Sequence, residues 1–200
     1  MDHKTAIKTP PEARRAAGLR SICVYCGSSD LADPAYLELA ERFGAEMARR
    51  GIRLVYGGGR IGLMGRVAAA AHEAGGDVLG IMPRFLARRE IVWEAVEHRI
   101  VETMHERKIM MFDESDAFVA LPGGIGTLEE VVEMLSWHRL DLHAKPIAFL
   151  SEDDFWEPMI HLLEHTVQAR LTPAELVRDV ISAHTVEDCL AGIEAQVAKL

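Results

Sequence analysis

The densest chemistry in this 200-residue chain lies in the segment Pro122-Gly-Gly-Ile-Gly-Thr-Leu-Glu-Glu130. Gly123, Gly124, Gly126 and Thr127 follow an apolar run and precede a helical pattern. Glycines let the backbone fold sharply and present successive N–H groups. The start of a helix adds partial positive charge, and Thr127 adds a hydroxyl donor. Together these make an anion cradle. Glu129 and Glu130 follow at once and are expected in the first helical turn, pointing about 100° apart. Acids there gain about 0.3–1 kcal/mol each from the helix dipole, which by itself could explain them. A carboxylate beside an anion cradle otherwise repels the ligand. It makes chemical sense if it faces a developing positive charge, such as the oxocarbenium-like sugar of glycosidic cleavage.

A second glycine cluster, Tyr56-Gly-Gly-Gly59 with Gly62-Leu-Met-Gly65, contains a formal G-x-G-x-x-G at Gly57, Gly59 and Gly62. A dinucleotide fold would add an acid at the end of the next strand, but that strand ends Gly80-Ile81-Met82-Pro83. A phosphate or nucleotide wall, or glycines kept for tight packing, both remain open. Neither cluster is followed by the Gly-Lys-Ser/Thr of a Walker A loop. Arg107-Lys108 reads either as solvated helix surface or as cations set against a phosphate or a leaving base.

Other chemistries find less support. Cys23 and Cys26 form a C-x-x-C within a strand, where residues three apart face opposite sides. The nine histidines show no zinc-binding spacing, and no G-x-S-x-G elbow marks a serine hydrolase. Ser28 or Ser29 could serve a ligand or cap a helix. Pyridoxal chemistry needs a Schiff-base lysine. Lys108 and Lys145 are the central lysines, and no surrounding pattern supports either.

The elements that must position these residues alternate. Strands are expected at 21–26, 52–56, 78–82, 99–102, 117–121, 146–150 and 180–182. Helices are expected at 34–50, 63–74, 105–114, 127–139, 154–169 and 186–198, with a loop and a short helix within 84–97. Such alternation implies a single-domain α/β fold, a parallel sheet covered by helices on both faces. In such sheets ligands sit beyond the carboxyl ends of strands, where both glycine clusters fall. Residues 1–19 are read as a flexible extension, with a short helix over 12–17 and no signal-peptide pattern, and 20–200 as the domain.

A formal net charge of −9 argues against general nucleic-acid binding. No apolar run approaches the length of a membrane span. Three cysteines point to a reducing cytoplasm rather than a disulfide framework.

Over about residues 20–180 the chain resembles the Lonely Guy (LOG) family, the cytokinin riboside 5′-monophosphate phosphoribohydrolases, once commonly labelled lysine decarboxylases. The residues carrying the likeness are Cys26-Gly-Ser-Ser29, the two glycine clusters, and Met104-His-Glu-Arg-Lys108. The most specific is the P-G-G-x-G-T-x-x-E of residues 122–130. The resemblance implies a modified Rossmann fold, at least a homodimer, and hydrolysis of the N-glycosidic bond of AMP-type nucleotides without metal or cofactor. It implies Arg107 and Glu130 as the catalytic pair. It also implies Gly123, Gly124, Gly126 and Thr127 as the phosphate loop, and Gly58, Gly59, Met64, Glu90, Lys108 and Glu129 as substrate contacts. Where many members read W-x-Q-L-G-x-H, this chain has Trp137-His-Arg-Leu-Asp-Leu-His143. Arg139 and Asp141 thus add charge after the catalytic helix, with a bearing on substrate preference and oligomer packing.

Overall fold

The computed structural model describes residues 18–88 and 93–200. The expected short helix over 12–17, most of the N-terminal extension, and Glu90 lie outside the described residues. Leu19 already packs against the core.

Seven strands form one parallel sheet: β1 (Ser21–Tyr25), β2 (Arg53–Tyr56), β3 (Val78–Pro83), β4 (Glu97–Val101), β5 (Ala117–Ala120), β6 (Ile147–Leu150) and β7 (Ile181–Ala183). Their order across the sheet is β4-β3-β2-β1-β5-β6-β7. The chain walks outward from β1 to β4, returns to the centre for β5, and walks out the other way. The reversal opens a crevice between the carboxyl ends of β1 and β5, where doubly wound sheets hold ligands. Register follows from pairs such as Val24 with both Tyr56 and Val119.

The helices are α1 (Pro34–Arg49), α2 (Gly62–Glu73), α3 (Arg84–Ala87), α4 (Met104–Asp113), α5 (Ile125–Arg139), α6 (Glu157–Gln168), α7 (Ala174–Asp179) and α8 (Val186–Val197). Period-two alternation along the strands divides the apolar residues into two cores. Ile22, Val24, Leu54 and Tyr56 meet Phe43, Met47, Val67 and Leu190 from α1, α2 and α8. Cys23, Tyr25, Val55, Ile81 and Phe118 meet Met111, Val131, Met134, Leu135 and Leu176 from α4, α5 and α7. Cys23 and Cys26 therefore face opposite cores, and all three cysteines are free and buried.

Local signals explain the element ends. Asp33 caps α1 by accepting from the Ala35 N–H at 2.9 Å, with Pro34 in the first turn. At the end of α5 the Asp141 N–H donates to His138 O and the Leu142 N–H to Trp137 O. Asp141 takes φ 56°, the left-handed stop of a Schellman cap. The two charges that depart from the family pattern thus belong to a helix terminus. Arg139 lies in the last turn, where a cation complements the dipole. Helix α7 was not anticipated from sequence: it has six residues, too few for a readable period. Among the described residues no helix is long and apolar enough to cross a membrane.

Candidate active site

The crevice is closed at its base by Gly27, two residues past the end of β1. The Gly27 N–H donates to Pro122 O at 3.0 Å, and the Gly27 carbonyl accepts from the Met64 N–H at 3.2 Å. One residue thereby ties the turn after β5 to the start of α2. Asp30 adds a second tie, its Oδ1 accepting from the Gly62 N–H at 2.8 Å. Gly62 has φ 60°, and a Cβ there would lie 2.6 Å from the Ser28 and Ser29 backbone, so glycine is required. Ser29 turns inward on its own loop, accepting from the Leu31 N–H at 3.2 Å.

Above this base stands the N-terminus of α5. Gly124 is its N-cap and no side chain caps it. The first helical bond of the run is Leu128 N–H to Gly124 O at 3.0 Å. Among the described residues the N–H groups of Ile125, Gly126 and Thr127 have no helical acceptor, as expected of a first turn. A Cβ on Gly124 or on Gly126 would meet nothing within 4 Å, so the cradle is open. Thr127 is buried beneath Gly123, where a Cβ would lie 2.1 Å from its Oγ1. The helix begins two residues earlier than the sequence suggested. Glu129 and Glu130 consequently lie beyond the first turn, and dipole stabilisation does not explain them.

Glu130 is one helical turn past Gly126 and so shares its side of α5. Its carboxylate makes an ion pair with Arg107 Nη1 at 3.2 Å, with both side chains nearly buried (9% and 12% exposed). Arg107 is not the solvated surface cation that an Arg-Lys pair on a helix suggests. Its Nε donates to Ile81 O at 3.2 Å, and its guanidinium lies against Gly57. Helix α4 aims it from behind. Thr103 caps that helix through the Glu106 N–H at 3.1 Å, and Glu106 accepts from the Glu102 N–H at 2.9 Å. Burial raises the Glu130 pKa and Arg107 opposes the rise. Cys23 and Tyr25 on β1 and Cys26 just after it feel Glu130; their own pKa values are raised by burial, and they stay protonated near neutral pH.

The remaining predicted contacts divide. Gly58 and Gly59 are buried after β2, and Gly58 has φ 82° with the His98 ring beside it. Met64 reaches toward Gly57. Lys108 Nζ is held by Glu129 Oε1 at 2.7 Å and Glu133 Oε2 at 3.0 Å, which locks α4 to α5. Lys108 and Glu129 therefore pair with each other across the contact between α4 and α5. Sequence reasoning missed Asp30 and the Ile81 carbonyl. Asp30 had a weak signal, as a polar residue just beyond a strand. A backbone carbonyl has none.

Residues 64–193 match the family described as possible lysine decarboxylases. The cytokinin riboside 5′-monophosphate phosphoribohydrolase LOG of Oryza sativa subsp. japonica is 43% identical over 184 residues, covering 92% of this chain and 76% of that protein. The Arabidopsis thaliana protein LOG3, of the same description, is 40% identical and covers 92% and 86%. This chain belongs to the LOG family. The fold is shared more widely. The molybdenum cofactor binding protein of Rippkaea orientalis superposes with TM-score 0.67 at 26% identity, covering 88% of this chain and 96% of that one. The Moco carrier protein of Chlamydomonas reinhardtii gives 0.68 at 23%, covering 91% and 99%.

The older lysine decarboxylase description finds no support in the central lysines of this LOG chain. Lys108 is held by two carboxylates, and Lys145 Nζ donates to Phe112 O at 2.6 Å while lying over the Phe112 ring. Among the described residues one trio with metal-ligand atoms within 4.8 Å, Asp154, Glu157 and His184, sits at the surface and shares no residue with this site.

Proposed function

We propose that this protein hydrolyses the N-glycosidic bond of nucleoside 5′-monophosphates, cytokinin riboside monophosphates or AMP, to give free base and ribose 5-phosphate. The observation that carries the reading is the buried Arg107–Glu130 pair, set one helical turn below an open helix N-terminus. Family membership with LOG and LOG3, both named phosphoribohydrolases, supports it.

The N–H groups of residues 125–127 would receive the 5′-phosphate, aided by the helix dipole. The separation along α5 from Gly126 to Glu130, about 5.4 Å for one turn, is on the scale of a ribose ring. The sugar would then lie over the carboxylate. As the C1′–N bond breaks, its electron pair leaves with the base, which takes up a proton. Positive charge grows on the ribose, and the Glu130 carboxylate stabilises it in a site with little water to screen it. A water oxygen then bonds to C1′ and gives up a proton, and Glu130 is placed to orient that water. Arg107 keeps Glu130 ionised and fixes its direction. No step calls for a metal or redox group.

The test is incubation of the pure protein with AMP and isopentenyladenosine monophosphate, with free base read by chromatography. Base release from at least one of them is expected, and Glu130→Gln should abolish it. Tight nucleotide binding without release would instead make the protein a sensor. The likeness further implies a homodimer, which light scattering of the pure protein would read. The three free, buried cysteines fit a reducing cytoplasm.

A further inference from the structure

Gly57 belongs to the formal G-x-G-x-x-G, which suggested a nucleotide wall. The structure puts it to another use. A Cβ built on Gly57 would lie 2.1 Å from Arg107 Nη2, 3.3 Å from its Cζ and 3.1 Å from the Met64 sulfur. Gly57 is buried, and compared with Gly58, Gly62 and Gly65 it is Gly57 whose missing side chain is replaced by the guanidinium. Its φ is not among the positive values that demand glycine, unlike Gly58 at 82° and Gly62 at 60°. Backbone conformation therefore does not account for glycine at position 57. Contact with Arg107 does.

We propose that Gly57 is a positioning residue, a bare-backbone seat that fixes the Arg107 guanidinium against Glu130. The seat completes a three-sided mount. Ile81 O receives Nε at 3.2 Å, Glu130 faces Nη1 at 3.2 Å, and the Gly57 Cα backs Nη2. The three sides come from the end of β3, from α5 and from the turn after β2. A planar, rigid fork can use all three at once, and a lysine could not. This inference rests on the proposed reaction for its kinetic consequence, though the mount itself does not.

Gly57→Ala tests it. The atoms that block the new methyl are the far ends of flexible side chains, so the fold can survive by moving Arg107 and Met64. The guanidinium then leaves its seat. A misplacement of about 1 Å can cost on the order of 10²-fold in rate, and a loss of that order in kcat is expected. KM should change far less, because the phosphate cradle on α5 is untouched. A general loss of stability would also lower activity, so a second readout is needed. Glu130 is faced by Arg107 and Lys108 from α4, by Glu129 and Glu133 on its own helix, and by protonated Cys23 and Tyr25 from β1 and Cys26 just after it. Of these, Arg107 gives the largest opposition to the rise caused by burial. With the seat lost, the acid limb of the kcat–pH profile should move to higher pH. The Glu130 carboxyl, followed by carbon NMR in the free protein, should titrate higher as well. Gly75→Ala, strained at φ 80° in a turn outside the site, should lower the melting temperature and leave both readouts in place. An unchanged Glu130 titration in Gly57→Ala would overturn the seat, whether or not the protein turns over nucleotides. Failure of the wild type to release base from any nucleoside monophosphate would overturn the reaction and leave the titration to decide the seat.

Discussion

A carboxylate loses hydration when it is buried, and the Glu130 side chain is 12% exposed. Burial raises its pKa, Arg107 holds the rise back, and Glu129 and Glu133 add to it. The proposed reaction needs the ionised form. The acid limb of kcat should therefore lie above the ordinary glutamate value of about 4.3, with activity lost as pH falls through it. Stability has the opposite sign. The folded state binds this proton more tightly than the unfolded chain does. Its contribution is full below the unfolded value and is lost as pH rises through the folded one. Glu130→Gln removes that titration. The melting temperature of the wild type should accordingly lose ground to the variant as pH rises from about 4.3, and a constant difference across that range would contradict the burial argument. Arg107→Lys is the second residue-scale test. The charge survives, but one ammonium cannot serve both Ile81 O and Glu130 as the guanidinium does. A fall in kcat on the order of 10²-fold is expected from the lost geometry, read in the base-release assay with the thermal melt little changed.

At the scale of the element, the cap of α5 gives a test separable from chemistry. Asp141 occupies the left-handed position of the Schellman stop, where the common family residue is glycine. An L-residue there costs roughly 1–2 kcal/mol, and an acid at a helix C-terminus adds to the cost. Asp141→Gly should stabilise the protein by about 1 kcal/mol. That corresponds to a rise of about 2–4 °C in Tm for a domain of this size, with kcat unchanged. A lower kcat would mean that the departure at this position does bear on the site. Legibility in the sequence followed the same logic of local against distant causes. The strands, the two glycine turns and the Asp33-Pro34 start of α1 could be read because each depends on neighbours in the chain. The start of α5 was misplaced by two residues, since Ile125 and Gly126 carry no helical signal and only the N–H acceptor pattern assigns them. The glycine loop and Glu130 were legible as an anion cradle with an acid. The mount around Arg107 was not, because Ile81, Gly57 and Glu130 meet it only after three separate crossovers have formed.

At the scale of the molecule, the sheet separates two cores, and they have different duties. The core under α4 and α5 carries the residues that aim Arg107 and Glu130, while the core under α1 and α8 supports the opposite face. Matched cavities should then have unmatched consequences. Leu135 on α5 and Leu190 on α8 are both leucines buried in helices. Truncation of either to alanine should cost about 2–5 kcal/mol, set by how far the surroundings collapse into the cavity. Collapse around Leu135 moves the helix that bears both the cradle and Glu130. Collapse around Leu190 is taken up against β6, β7 and α1, away from the crevice between β1 and β5. With the folded fraction measured by circular dichroism and held near unity by low temperature, Leu135→Ala should lose kcat severalfold and Leu190→Ala should keep it. Equal losses in the two variants would mean that the sheet transmits strain between its faces and that the site is set by the whole domain rather than by one of its cores.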